Sequence, residues 1–153
     1  MTVEKSETKT ETKTDAQPAF RGTKLFLFIG ERLAVLLRDD KPDIPWPDYW
    51  DFPGGEAEPG ETPEACVLRE TVEELGLEVR LSALEWSRQF PSSTGVPEWF
   101  FAAHLPEERG KEIVLGDEGQ GWALMAPEEY ITHPKAIPHF AERLAMYLKE
   151  RGV

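Results

Sequence analysis

The chain has 153 residues, of which 40% are hydrophobic and 10% aromatic, and this is enough for one domain with a packed core. Its formal net charge of -12 repels the phosphates of nucleic acids and anionic lipids, so stable nucleic-acid binding is disfavoured. The single cysteine, Cys66, excludes an internal disulfide, and the lack of any apolar run near the roughly 20 residues of a membrane span predicts a cytoplasmic protein without membrane association.

Residues 1–19 are rich in Thr, Lys, Glu and Ser, and the sequence ETKT occurs there twice in tandem. Large apolar side chains are almost missing from this segment, so it cannot bury enough surface to fold. We therefore predict a disordered tail over residues 1–19 and one folded domain over residues 20–153. A partner-binding arm is the alternative role for the tail, and the mixed signs of its charges do not favour that role.

The first folded element is predicted to be a β-hairpin. The sequence KLFLFIG from Lys24, the turn at Gly30 and Glu31, and then RLAVLLRD have the apolar character of two paired strands. Residues 39–49 contain three Pro and four Asp, which is typical of a loop.

A short strand over residues 50–52 is predicted to end at the sequence PGG. The helix that follows begins with Thr62 as its N-cap and Pro63 at its first position. Gly76 is predicted to end this helix in the left-handed conformation that favours glycine.

The rest of the chain is predicted to alternate between strands and two helices. The predicted strands cover residues 79–90, 98–105, 112–115 and 120–125, and the predicted helices cover residues 127–131 and 138–151. In the last helix, apolar residues recur at helical spacing and predict a core-facing stripe. These elements indicate a mixed α+β domain.

The helix after Thr62 is predicted to have two distinct faces. At roughly 100° per residue, Ala65, Leu68, Val72 and Leu75 share a predicted core face. The other face carries Cys66, Glu70, Glu73 and Glu74. Neighbouring like charges destabilise a helix by a few tenths of a kcal/mol per pair, so the acidic face requires either solvent or a cation.

The spacing around the acidic face favours a cation site over a solvated surface. Gly55, Glu61 and Arg69 precede the acidic residues at long, fixed intervals. Turn-forming glycines would let a backbone carbonyl, that of Gly55, approach the same cation. Hard oxygen ligands select Mg²⁺ or Mn²⁺ over zinc, and Mg²⁺ with few carboxylates is suited to phosphate chemistry.

Residues 55–77, GEAEPGETPEACVLRETVEELGL, resemble the signature of the Nudix (MutT-like) hydrolases. All the charged and glycine positions of that signature match, and the one departure is Thr71 at a hydrophobic position. The resemblance implies an α/β/α sandwich with a mixed sheet. It also implies that Glu70, Glu73 and Glu74 are catalytic metal ligands, with Glu70 or a later loop glutamate as the base. Arg69 and Glu61 would form a salt bridge that orients the loop and the helix.

Two candidate site residues lie outside the signature. Glu118 is predicted in a loop before the last strand, where members of this family often add a metal-binding carboxylate. Trp46 lies in the proline-rich loop and is predicted to stack on a nucleobase. The three histidines have no metal-ligand spacing, and no catalytic role is predicted for them.

The predicted function is Mg²⁺-dependent hydrolysis of a nucleoside diphosphate-linked compound to a monophosphate, with Mn²⁺ as a second candidate ion. The predicted substrate is a (deoxy)nucleoside triphosphate or an oxidised nucleotide. The alternatives are an ADP-ribose or NADH-type pyrophosphatase, an mRNA or dinucleoside polyphosphate decapping enzyme, and a nucleotide-binding module without activity. A homodimer is compatible with the sequence.

Overall fold

In the computed structural model, which describes residues 19–152, six strands and three α-helices form one layered unit. Residues 1–18, nearly all of the predicted tail, lie outside the described residues. Within the described range, no helix combines the length and the apolar character that crossing a bilayer requires.

The elements follow one another in a strand-rich order. The strands are β1 (Gly22–Ile29), β2 (Arg32–Leu37), β3 (Trp50–Asp51), β4 (Leu84–Phe90), β5 (Glu98–Leu105) and β6 (Gly121–Met125). The helices are α1 (Pro63–Leu75), α2 (Pro127–Ile131) and α3 (Pro138–Arg151). Short 3₁₀ turns cover Leu81–Ala83 and Glu107–Glu112.

The sheet is mixed, with the order β3-β2-β1-β5-β4, and β6 also pairs with β2. Strands β1 and β5 are parallel and stay in register from Gly22 opposite Glu98 to Ile29 opposite Leu105. The other named pairs are antiparallel. This long parallel pair forms the centre of the sheet.

Strand β1 separates two hydrophobic cores because successive side chains of a strand point to opposite faces. Leu25, Leu27 and Ile29 pack on the side of α1. Phe26 and Phe28 pack on the side of α2 and α3. Helices therefore cover both faces of the mixed sheet, which confirms the predicted α+β sandwich.

The predicted limits of α1 are confirmed by its caps. The side-chain oxygen of Thr62 accepts a hydrogen bond from the amide of Ala65 at 3.1 Å. Gly76 has a φ of 63°, and its amide donates to the carbonyl of Val72 at 2.8 Å. Strand β5 and helices α2 and α3 also have the predicted limits.

The predicted core face of α1 is partly wrong. Val72 is 43% exposed, and Ala65 is also exposed, whereas Cys66, Val67 and Thr71 are fully buried. Thr71 can be buried because its hydroxyl donates to the carbonyl of Val67 at 2.7 Å, which satisfies its polar group inside the core. The stripe that faces the sheet is therefore rotated toward the acidic residues.

Two of the predicted strands are also corrected. Residues 112–115 do not pair with the sheet; the amides of Val114 and Gly116 donate to the carbonyls of Leu75 and Glu74, at 2.8 and 2.9 Å. They satisfy carbonyls that the last turn of a helix leaves without partners. The predicted strand over residues 79–90 begins only at Leu84, after the 3₁₀ turn.

The corrected face of α1 predicts unequal effects from two truncations in one helix. Leu75→Ala should lower the free energy of unfolding by about 2–5 kcal/mol, because Leu75 is fully buried and the change leaves a cavity. Val72→Ala should change it by less than about 0.5 kcal/mol, because Val72 faces solvent. Urea unfolding followed by circular dichroism measures both; equal losses would contradict the face assignment.

Candidate active site

The chain segment after β3 runs antiparallel along the first half of β1, and a glycine makes this close approach feasible. The amides of Thr23 and Leu25 donate to the carbonyls of Gly55 and Pro53, at 2.9 and 2.8 Å. Gly54 has a φ of 140°, and a Cβ there would lie 2.1 Å from the carbonyl oxygen of Thr23. Only glycine fits without a backbone shift, so this turn is fixed against the sheet.

Glu70 and Glu74 lie one helical turn apart on α1 and reach this same turn. The amide of Gly54 donates to Oε1 of Glu74 at 2.9 Å. A Cβ on Gly55 would lie 2.5 Å from the carboxyl carbon of Glu70, so that carboxylate packs directly on the backbone. Glu73, the third predicted acidic ligand, has 56% of its side chain exposed and lies at the edge of the site.

Burial makes the negative charges of Glu70 and Glu74 costly. Desolvation raises the pKa of Glu74 to about 7, although Lys24 and the Gly54 amide oppose this rise. Desolvation also raises the pKa of Glu70, against the opposing effect of Arg69. A cation placed between such carboxylates would stabilise their charged forms.

Arg69 connects the helix to the preceding loop through a two-pronged ion pair with Glu61. Its Nε and Nη2 atoms donate to the two carboxylate oxygens of Glu61, at 2.6 and 3.1 Å. Nη2 also donates to the carbonyl of Glu56, and Nη1 donates to Glu70 at 2.9 Å. These hydrogen bonds raise the pKa of Arg69 and lower that of Glu61. The predicted salt bridge is present, and it contacts Glu70 directly.

A partly buried ion cluster of Lys24, Asp51 and Arg38 lies beside the acidic pair, and the sequence did not lead us to predict it. Oδ2 of Asp51 accepts from Lys24 Nζ at 3.0 Å and from Arg38 Nη1 at 2.9 Å. Oδ1 of Asp51 accepts from the amide of Phe52 at 2.7 Å. The sequence did contain a signal for this cluster. Lys24 and Asp51 are charged residues within two predicted strands that are otherwise apolar, whereas a buried strand is normally apolar throughout.

The acidic pair, the Gly54–Gly55 turn and the ion cluster around Asp51 line a single cleft of about 800 Å³, within the usual size range of small-molecule sites. Glu70, Glu74 and Gly55 lie on its walls together with the predicted candidates Glu118 and Trp46. The cleft therefore contains part of the predicted set, whereas Glu73, Glu61 and Arg69 do not line it. Their roles as ligands and as a stacking residue stay predictions.

The residues present fit a Mg²⁺ or Mn²⁺ ion. Within residues 19–152, no three His, Cys, Asp or Glu side chains already form a closed metal cage. Mg²⁺ does not require one, because it keeps several waters and binds through one or two carboxylates plus substrate phosphates. Glu70 and Glu74 are the carboxylates that would hold such an ion. The carbonyl oxygen of Gly55 accepts from Thr23, and a carbonyl has a second lone pair for a cation.

Comparison with known proteins relates the chain to a family. The family model of the NUDIX domain matches residues 20–147. A Bacillus subtilis protein named "Putative 8-oxo-dGTP diphosphatase" is 35% identical over 101 residues, which are 66% of this chain and 63% of the relative. The Escherichia coli CTP pyrophosphohydrolase is 32% identical over 87 residues, 57% of this chain and 62% of the relative. The chain thus spans less than two thirds of the length of these curated relatives.

Solved structures show the same fold at low identity. A C. elegans Ap4A hydrolase in a binary complex superimposes with a TM-score of 0.67, and the match covers 86% of this chain and 98% of that one. The two sequences are 19% identical, so this likeness concerns the fold alone.

The raised pKa of Glu74 predicts a specific pH dependence of stability in the metal-free protein. Its folded-state pKa of about 7 exceeds the roughly 4.3 of an unfolded chain. The contribution of Glu74 to stability is therefore fully present below about pH 4.3 and is lost as pH rises through 7. Glu74→Gln stays neutral, so in EDTA at pH 8 it should be more stable than the unaltered protein by about 1–3 kcal/mol.

Chemical unfolding between pH 5 and 8 measures this difference. Glu78→Gln, which removes an exposed carboxylate just beyond the helix, serves as the control and should keep the original pH dependence. A Glu74→Gln variant that is no more stable at pH 8 would contradict the buried, proton-binding state of Glu74.

Proposed function

Because the chain belongs to the NUDIX family, we propose that it is a metal-dependent hydrolase of phosphoanhydride bonds in nucleoside diphosphate-linked compounds. The observation that carries this proposal is the meeting of Glu70 and Glu74 at the Gly54–Gly55 turn, inside a cleft of nucleotide size. All the acidic residues of the signature are retained, which supports an enzyme over a module that only binds nucleotides.

In this proposal, Mg²⁺ or Mn²⁺ is held by Glu70 and Glu74, with contributions from Glu73, the Gly55 carbonyl and Glu118. The bound ion would supply charge neutralisation at the phosphate oxygens and help to activate the attacking water. Glu118 is exposed and lines the same cleft as the two helical carboxylates, so it can complete the ligand set from the opposite loop.

The protein residues provide proton transfer and orientation. A carboxylate, that of Glu70 or Glu118, accepts a proton from water as the water oxygen bonds to phosphorus. The bond from phosphorus to the bridging oxygen breaks, its electron pair stays on the oxygen of the leaving group, and the products are a nucleoside monophosphate and, from a triphosphate, pyrophosphate. Arg69 positions Glu70, while Lys24 and Arg38 place positive charge beside the incoming polyphosphate.

We propose a (deoxy)nucleoside triphosphate or an oxidised nucleotide as the substrate. The two named relatives support this choice, since their names specify 8-oxo-dGTP and CTP. ADP-ribose or a dinucleotide is the second candidate. The cleft supports it, because Pro91, Ser92 and Ser93 extend its lining beyond the acidic pair.

Removing the negative charge of either Glu70 or Glu74 should strongly reduce turnover. Glu70→Gln and Glu74→Gln are each expected to lower kcat with Mg²⁺ at least about 100-fold, because each removes charge that binds the ion or accepts the proton. Chromatographic separation of the products formed from a panel of nucleoside triphosphates, ADP-ribose and dinucleotides measures the rate, because every such cleavage releases a nucleoside monophosphate.

Glu64→Gln is the matched control, because Glu64 is an exposed glutamate in the first turn of the same helix. It should keep the original rate. Circular dichroism must show that all three variants are folded. Unchanged rates in the Glu70 and Glu74 variants, or no hydrolysis of any compound by the unaltered protein, would overturn the proposed function.

Arg69→Lys tests the positioning of Glu70 separately from its chemistry. Lysine cannot reproduce the two-pronged bond to Glu61 while also reaching Glu70, so activity should fall about 10- to 100-fold and half-maximal activity should need more Mg²⁺. Arg109→Lys is the control, since Arg109 forms an exposed ion pair with Glu112 away from the cleft. Equal effects of the two substitutions would contradict a positioning role.

A further inference from the structure

Trp46 presents a large aromatic surface to solvent inside the catalytic cleft. It is 38% exposed and lines the same cleft as Glu70 and Glu74. Its backbone φ is 51°, in the left-handed region that bulky residues rarely adopt. Such conformations persist only where surrounding contacts enforce them, and they are concentrated at ligand sites.

The loop around Trp46 is held by contacts from three other segments of the chain. Arg38 Nε donates to the carbonyl of Pro45 at 2.9 Å, and the amide of Arg38 donates to the carbonyl of Tyr49 at 2.8 Å. Asp48, which also has a positive φ of 64°, accepts from Gln120 at 2.8 Å and pairs with Lys135. These contacts hold Trp46 at the cleft rather than in the core.

His139 at the start of α3 continues the aromatic surface. Its ring centroid lies 6.2 Å from that of Trp46, with 49° between the ring planes, and it also lines the cleft. Tyr49 also packs against Trp46, edge to face, with 5.1 Å between the ring centroids. Burial and the nearby charge of Arg143 lower the pKa of His139, which favours its uncharged ring. The two rings form a corner that a flat group can contact.

The carboxylates on this part of the cleft already have partners. Both oxygens of Asp51 accept hydrogen bonds, from Lys24, Arg38 and the Phe52 amide. Glu98 pairs with Arg143 at 2.7 Å. A carboxylate can distinguish one base from another by accepting a hydrogen bond from the amino group of the base. The carboxylates of Asp51 and Glu98 already accept hydrogen bonds from the protein.

We propose that Trp46 and His139 form a stacking platform for the base of the bound nucleotide, and that this platform accepts purines and pyrimidines alike. The inference rests on the proposed function, which places the phosphates at Glu70 and Glu74. Stacking has this tolerance because every base presents an aromatic face.

Equilibrium binding of monophosphates tests the platform without requiring turnover. Calorimetric titration with AMP, GMP, CMP and UMP should give dissociation constants within about tenfold of one another, because stacking is insensitive to base identity. Ribose 5-phosphate, which lacks the base, should bind at least about fivefold more weakly. Trp46→Ala should reduce all four nucleotides to the level of ribose 5-phosphate, and Trp46→Phe should retain most of the difference.

Leu81→Ala, which alters an exposed apolar residue outside the cleft, should leave every constant unchanged. Equal binding of nucleotides and ribose 5-phosphate, or unaltered binding by Trp46→Ala, would overturn the platform. A preference above about tenfold for one base would overturn its tolerance. Because monophosphates are not hydrolysed here, an inactive protein that still shows the expected binding would refute the proposed function and leave the platform intact.

Discussion

The close approach of the Gly54–Gly55 backbone to its neighbours is the constraint on which the rest of the site depends. On one side, a Cβ at Gly54 would meet the carbonyl of Thr23 at 2.1 Å; on the other, a Cβ at Gly55 would meet the Glu70 carboxyl at 2.5 Å. The backbone of the turn therefore fills the whole space between the sheet and the carboxylates of the helix. This spacing lets helical carboxylates and backbone amides share a small volume.

Charge balance explains how such a site can exist within a folded protein. Acidic residues one turn apart on a helix repel one another, and burial adds to the cost. Arg69 offsets part of this cost by contacting both Glu70 and Glu73, and Lys24 lies close enough to oppose the rise in the pKa of Glu74. The remaining deficit of positive charge is what a divalent ion would supply. The acidic cluster is thus only partly compensated by the protein itself.

The sequence allowed accurate prediction wherever local chemistry determines structure. The caps of α1 are set by residues within one turn of each end, so Thr62, Pro63 and Gly76 were sufficient to place the helix. The grouping of Gly55, Glu61, Arg69 and the glutamates was also predictable, because their spacing resembles a known signature.

Contacts between distant segments were not predictable in the same way. Cys66 was assigned to the acidic face of α1 but is fully buried, and its hydrogen bond from the hydroxyl of Thr23, 43 residues away, is invisible in a hydrophobicity pattern. Residues 112–115 have the composition of a strand, but their amides bond to the end of α1. The same limit applied to Asp51, whose partner Lys24 lies 27 residues away. The hydrogen bonds at the end of α1 also connect the two sides of the cleft. The amides of Val114 and Gly116 join the last turn of α1, which carries Glu74, to the loop that continues to Glu118. Opening of that loop would leave two carbonyls at the end of α1 without their partners, so movement on one side of the cleft carries an energetic cost on the other.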